Sequence, residues 1–337
     1  MQKTLEKYRK QIQSGRVNPL VHWDGRTSGV IFDPSRDGVP LEMMSFHAYR
    51  LQDGPFTIHT GENEYAFVPA DARYEVEVGK QVFRGHRQGG PFAALPETSS
   101  AEAVYVPRDA TCQLSGTGEL VAFAAPANGD KPPVRVAPGE RPNLRRGTGT
   151  WHRDVITLFT PDDVTTNLVG GETYSPPSLW SGTPIHVHDL DDPDHSQSDH
   201  EEVYYHLARL TDGKWGPYGV QLLFDDQGLD QAYMIHHRSA FAIPGAAHPV
   251  VAGPVSDMLY IWALAGTSSA LAMMDIPEFG YLQKVARIID QFEADRGPAV
   301  LSAAQFEQAV REQNLTDFQA KVCRLHLTER GFVIGQQ

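Results

Sequence analysis

From Trp23 onward the chain alternates apolar and polar positions in short runs. Gly, Pro and Asp break these runs roughly every 8 to 12 residues, the pattern of an all-β sandwich or barrel. The runs beginning at Gly29, Pro40, Glu64, Tyr74, Ala103 and Leu120 form a first series with no helical period between them. A stretch rich in Pro, Gly, Asn and Arg, 126–149, reads as a connector. A second series follows, with runs from Arg153, Thr166, Thr183, Val203, Tyr218, Gln231, Ala240 and Met258. Two successive series of similar size and texture suggest an internal duplication. Both ends turn helical. Leu5, Tyr8 and Ile12 make one apolar stripe, while Val285, Ile288, Ile289 and Phe292 make another, continued by Phe306, Val310, Phe318, Val322 and Leu325. Ser302 and Gln305 fit a capping box. The chain therefore divides into a helical arm (1–22), a first β module (23–145), a second (146–275) and a helical extension (276–337).

Composition narrows the partners. With 337 residues, 41% hydrophobic and 21% charged, the chain can bury a sizeable core. Its net charge of -13 argues against nucleic acid, which is held by clustered Lys and Arg. Cys112 and Cys323 stand far apart without metal or redox spacing, so neither a disulfide framework nor a thiolate site is expected. The charged first residues lack an apolar signal core and no long apolar run follows, so a cytoplasmic protein with no membrane partner is expected.

The chemistry gathers in the second module. His186 and His188, at i and i+2, share a face only if the backbone is extended. Imidazole is the commonest metal ligand, and a carboxylate from a neighbouring strand would add an oxygen donor. Glu201 and Glu202 open such a strand, and His248 follows a Pro-Gly turn that could return it to the pair. Strand parity lets only one of the two glutamates point inward. Asp189 to His200 forms an acidic loop with Asp191, Asp192, Asp194, His195 and Asp199, a solvated loop rather than a lid. In the first module His59, Glu62 and Glu64 offer no equivalent set, so that module is expected to be structural.

These residues carry a family resemblance. Gly171-Glu-Thr173, Pro184-Ile-His186-Val-His188-Asp189, Glu201-Glu-Val-Tyr-Tyr205, Tyr218-Gly-Val-Gln221 and Pro244-Gly-Ala-Ala-His248 resemble the 5-deoxy-glucuronate isomerase family of myo-inositol breakdown, bicupin sugar isomerases related to the 5-keto-4-deoxyuronate isomerases. Gln81-Val-Phe83, Ala103-Val-Tyr-Val-Pro107 and Arg146-Gly-Thr-Gly149 extend the match into the first module. The resemblance spans roughly 25–275 and implies two tandem cupin barrels, with a divalent metal in the second. Zinc is favoured, and manganese, iron or nickel also suit the donors. The implied ligands are His186, His188, His248 and one glutamate, Glu201 preferred because it stands four residues before Tyr205. It further implies an aldose–ketose isomerase of a small acid sugar and a homodimer or larger assembly. Val187 stands where the family commonly has Lys, which leaves room for a different acid sugar. Tyr205, Tyr260 and Gln221 become catalytic candidates, and Arg153 and Asp189 substrate-binding ones. The general base stays open among the ligand glutamate, a metal-bound hydroxide, Tyr205, Tyr260 and His236. Rival readings are an iron or copper cupin dioxygenase and a non-catalytic sugar-binding cupin.

Overall fold

A computed structural model describes residues 3–87, 89–93, 100–192, 194, 197–210, 217–268, 270–294 and 300–335. Two antiparallel β modules follow one another, as the repeated alternation predicts. The first is an eight-stranded sheet built on Asn63–Val78 and Thr111–Pro126, each 16 residues long and paired along nearly their whole length. Such long strands must bend to serve two faces, and a register shift between Pro69 and Asp71 marks the bend. Gly118 faces it at φ +88, where a Cβ would lie 1.9 Å from the Asp71 carbonyl oxygen, so only glycine fits.

In the second module an eight-stranded sheet includes Gln197–Leu210, Ser256–Gly266, Val169–Ser175 and Arg153–Phe159. A four-stranded sheet of Trp180–Ser181, Val250–Ala252, Tyr218–Phe224 and Asp230–His236 completes the module. The N-terminal arm belongs to this module in space. Helix α1 (Lys3–Gln13) buries Leu5, Tyr8 and Ile12 in one core with Tyr204, Leu223, Ile235 and Phe241. Strand Leu20–His22 then pairs with Ser239–Ile243.

The largest core lies between the modules. Phe32, Phe46, Val68 and Phe123 of the first meet Ile156, Val203, Tyr205, Ala240 and Ile261 of the second. Two buried glutamates bracket this junction from opposite sides. Glu64 accepts hydrogen bonds from the backbone N–H groups of Thr166, Asn167 and Leu168 at 2.8, 2.8 and 2.7 Å. Glu201 accepts from those of Glu42, Met43 and Met44 at 2.6, 2.9 and 3.2 Å. Each carboxylate thus satisfies backbone donors that burial would otherwise leave unpaired. The buried Arg87 adds a third tie, forking onto Glu172 at 2.5 and 2.7 Å.

Helices α2 (Tyr281–Ala294), α3 (Ala303–Glu312) and α4 (Asp317–Glu329) form a small cluster against Trp151. Val285, Ile288, Ile289, Phe292 and Phe306 are buried there as their spacing predicts, and the Ser302–Gln305 capping box is present. The expected stripe fails in α4. Phe318 and Leu325 are 65% and 56% exposed, and Cys323 and Leu327, at i and i+4, take the inner face. Among the described residues no helix is long and apolar enough to cross a membrane.

Candidate metal centre

The short strand His186–Val187 pairs with Met274–Asp275, and the extended backbone carries on to His188. His248 arrives from the other side, after a turn in which Gly245 (φ +130) and Ala246 (φ +70) reverse the chain. The three rings stand 6.2, 5.5 and 4.9 Å apart between centroids. One ligating atom from each ring falls within 4.8 Å of the others, the only such group among the described residues.

Hydrogen bonding fixes which nitrogen is offered. His186 Nδ1 donates to Pro184 O at 2.9 Å, His188 Nδ1 to His200 O at 3.0 Å and His248 Nδ1 to Ala246 O at 2.8 Å. A carbonyl oxygen can only accept, so each Nδ1 carries the proton and each neutral ring keeps its lone pair on Nε2. Glu202 Oε2 lies 3.3 Å from His188 Nε2 and 3.1 Å from His248 Nε2. In the neutral rings acceptor therefore faces acceptor, an arrangement that positive charge between them, a metal ion or a proton on Nε2, makes favourable. Electrostatics point the same way. Burial alone would raise the Glu202 carboxyl, but the hydrogen bonds and charges of His188 and His248 outweigh it and carry it down to about 2. Burial would lower His188, yet the hydrogen bond and charge of Glu202 raise it, drawing positive charge to this spot. His186, lowered to about 3 by burial and then by its two histidine neighbours, stays neutral as a ligand must. A divalent metal fits the set of three imidazoles and one carboxylate.

The carboxylate that lies beside these histidines is Glu202, whereas the sequence favoured Glu201. Along Gln197–Leu210 one phase, Glu201, Val203, Tyr205 and Leu207, packs toward the first module, and the other, Glu202, Tyr204 and His206, points into the barrel. The same parity removes Tyr205 from the site. Its hydroxyl donates to Glu119, and its ring rests on Phe46 at 5.2 Å in the inter-module core. Tyr204, not singled out from the sequence, takes the inward place instead, 5.9 Å from His248 and 4.4 Å from Tyr260 between ring centroids.

Two further candidates act on the backbone rather than in the cavity. Gln221, fully buried, donates from Nε2 to His248 O at 2.5 Å and Pro249 O at 3.2 Å. Asp189 accepts from Ala246 N at 2.8 Å, and a Cβ on Gly245 would lie 2.6 Å from its own Cβ. Both hold the loop that presents His248, and neither is among the residues that line the cavity. His236, a candidate base, packs against His22 at 5.4 Å away from the cavity. In the acidic loop, Asp191 accepts from Asp199 N within its own hairpin and from Thr267 Oγ1 just after strand Ser256–Gly266. His195 lies outside the described residues. Glu64, in the first module, spends its carboxylate on the backbone bracket described above.

The sequence model of the KduI/IolB family matches residues 21–282. The chain belongs to the KduI/IolB family. Curated relatives include a 5-deoxy-glucuronate isomerase of Geobacillus kaustophilus, 29% identical over 167 residues, which are 49% of this chain and 59% of the relative. Another, from Listeria monocytogenes serotype 4a, is 24% identical over 260 residues, 75% of this chain and 92% of the relative. The match thus spans about three-fifths of the length of the Geobacillus kaustophilus relative. Among solved structures, an IolB-like protein of Salmonella typhimurium LT2 superposes with a TM-score of 0.71 at 23% identity, covering 79% of this chain and 100% of that one. A variant of the Bacillus subtilis oxalate decarboxylase gives a TM-score of 0.51 at 10% identity, covering 84% and 85%. These likenesses establish the fold, two tandem cupin modules.

In this KduI/IolB chain a cavity of about 600 Å³ opens above His186, His188 and Glu202. Tyr204, Tyr260, Trp262, Thr173 and Arg153 line its barrel side. Arg153 Nη1 donates to Thr183 O at 2.6 Å and Trp151 O at 3.3 Å, so part of the guanidinium secures the approach to His186. The indole N–H groups of Trp151 and Trp262 are buried without an acceptor among the described residues, two donors left over in the wall of a cavity. Burial raises the Tyr260 phenol and carries that of Tyr204 well above its ordinary value, so both remain hydrogen-bond donors at neutral pH.

Proposed function

We propose that this protein is a metal-dependent aldose–ketose isomerase of an acid sugar, converting 5-deoxy-glucuronate to 5-dehydro-2-deoxy-gluconate in myo-inositol breakdown. The observation that carries this reading is the convergence of His186, His188, His248 and the Glu202 carboxylate beside a sugar-sized cavity. The names of the curated relatives support it.

The reaction moves a proton between neighbouring carbons and rearranges hydrogens on their oxygens. A divalent metal held by His186, His188, His248 and Glu202 would supply Lewis-acid stabilisation for the negative charge that develops when a carbon beside a carbonyl loses its proton. The chain's own residues do the rest. Tyr260 shares a hydrogen bond with Ser181 Oγ and lies against Tyr204, so its hydroxyl is held in place as a proton donor to a substrate oxygen. Arg153 adds positive charge beside the tyrosines. Asp189 and Gln221 keep His248 aimed.

Tyr260→Phe should lower kcat on 5-deoxy-glucuronate by about 100-fold, the contribution typical of a positioned proton donor, with metal content unchanged. Steady-state kinetics beside metal analysis checks this, and an unaltered kcat removes Tyr260 from the proton path. A substrate panel tests the wider reading. Turnover of 5-deoxy-glucuronate should exceed that of other uronates, and the reverse order would replace the named substrate.

A further inference from the structure

The cavity has a wall that the family match does not include. That match ends at Leu282, and the Salmonella typhimurium structure is covered in full by only 79% of this chain. Gln283, Ala286, Arg287 and Asp290 lie beyond it, and all four line the cavity. They stand at i, i+3, i+4 and i+7, one continuous stripe of α2. The buried residues Val285, Ile288, Ile289 and Phe292 fix that orientation from the other side, against Trp151, Cys323 and Leu327.

The helix also acts as a ruler from the metal centre. Gln283 Nε2 donates to Asp275 Oδ2 at 2.5 Å, and Asp275 pairs with His186 in the strand ladder. Arg287 lies four residues on, about 6 Å along the helix at ~1.5 Å per residue. It is exposed at the cavity wall and makes no ion pair or hydrogen bond among the described residues, and none joins it to Asp290. Arg153 differs on both counts. It lies within the charge influence of Tyr260 and Tyr204, at the metal end, and part of it is committed to the Thr183 and Trp151 carbonyls. In a six-carbon acid sugar the carboxylate stands at the opposite end of the chain from the carbons that exchange the proton. Two further arginines line the cavity at the Arg153 end: Arg145, which pairs with Asp154 at 3.7 Å, and Arg146, whose charge acts on Arg153. The cation suited to the far end is therefore Arg287, one turn along α2.

We propose that Arg287, on the helical extension, is a specificity-determining residue that seats the substrate carboxylate, leaving Arg153 at the reacting end. This rests on the acid-sugar isomerase reading. The extension thereby makes the cavity selective for a sugar with an anionic terminus, through a charge-assisted, bidentate contact to a carboxylate.

The test is calorimetric binding of D-glucuronate and of D-glucose to the metal-loaded full chain, for the wild type, Arg287→Ala and Arg287→Lys, with metal content measured on each. Because Arg287 is exposed, neither substitution disturbs a core. Arg287→Ala should weaken D-glucuronate about tenfold while leaving D-glucose and metal content unchanged, and Arg287→Lys should recover part of the loss. Equal D-glucuronate affinity in Arg287→Ala and the wild type overturns this assignment alone. A wild type that binds D-glucuronate no better than D-glucose overturns the acid-sugar reading, and the assignment with it.

Discussion

Glu202→Gln and His248→Ala should each strip the metal from the protein and abolish isomerisation, while Glu201→Gln keeps both. The two glutamates are neighbours in sequence and point to opposite faces of one strand. Glu202 Oε2 lies within 3.3 Å of two histidine nitrogens, and Glu201 is fully engaged by the backbone of 42–44. Loss of an orienting partner typically costs about 10–100-fold in metal affinity, and loss of a ligand should exceed that. Turnover should fall by at least about 1000-fold, since both charge stabilisation and substrate anchoring depend on the ion. Metal analysis and kinetics on the three variants decide the matter. Metal lost from Glu201→Gln and retained by Glu202→Gln would reverse the assignment.

The second large effect is on stability. Glu201→Ala removes an anionic acceptor from three backbone N–H groups and the Thr4 hydroxyl at a junction where the side chain is 5% exposed. Each hydrogen bond to a charged group contributes about 1.5–3 kcal/mol, and the orphaned donors add a desolvation cost. Some of those donors would recover water, so a net loss of about 3–5 kcal/mol is expected. Urea unfolding of the metal-loaded protein measures it. Glu64→Ala, which breaks the reciprocal bracket onto 166–168, should cost a similar amount. A change below about 1 kcal/mol in both variants would show that the inter-module core needs neither bracket.

Much of the architecture could be read directly from the residues. The period of two along both series announced the strands, and the histidines were legible because His186 and His188 need only an extended backbone to be neighbours. His248 was signalled by its Pro-Gly turn. The choice between Glu201 and Glu202 was not legible, for a physical reason. Strand Gln197–Leu210 is buried on both faces, Val203 and Tyr205 against the first module and Tyr204 and His206 inside the barrel, so no solvent-facing phase marks the outside. One signal was available. The inward phase, Glu202, Tyr204 and His206, is the more polar, as a sugar cavity with a metal requires, and the outward phase, after Glu201, is apolar.

Gln221 and Asp189 show a different limit. The sequence reads Gln221 as a catalytic and Asp189 as a substrate-binding candidate, but the partners seen are backbone groups 27 and 57 residues away in the chain. Only the tertiary arrangement reveals that. The same holds for α2, whose apolar stripe was evident and whose polar stripe gained meaning only once the helix docked over the cavity.

The most direct measurement of the central claim is metal content and 5-deoxy-glucuronate turnover on the same wild-type sample, before chelation, after it, and after adding back single divalent metals. The account predicts about one ion per chain, loss of turnover in step with loss of the ion, and recovery with at least one added metal, the protein staying folded throughout. Full turnover by the chelated, metal-free protein would contradict it.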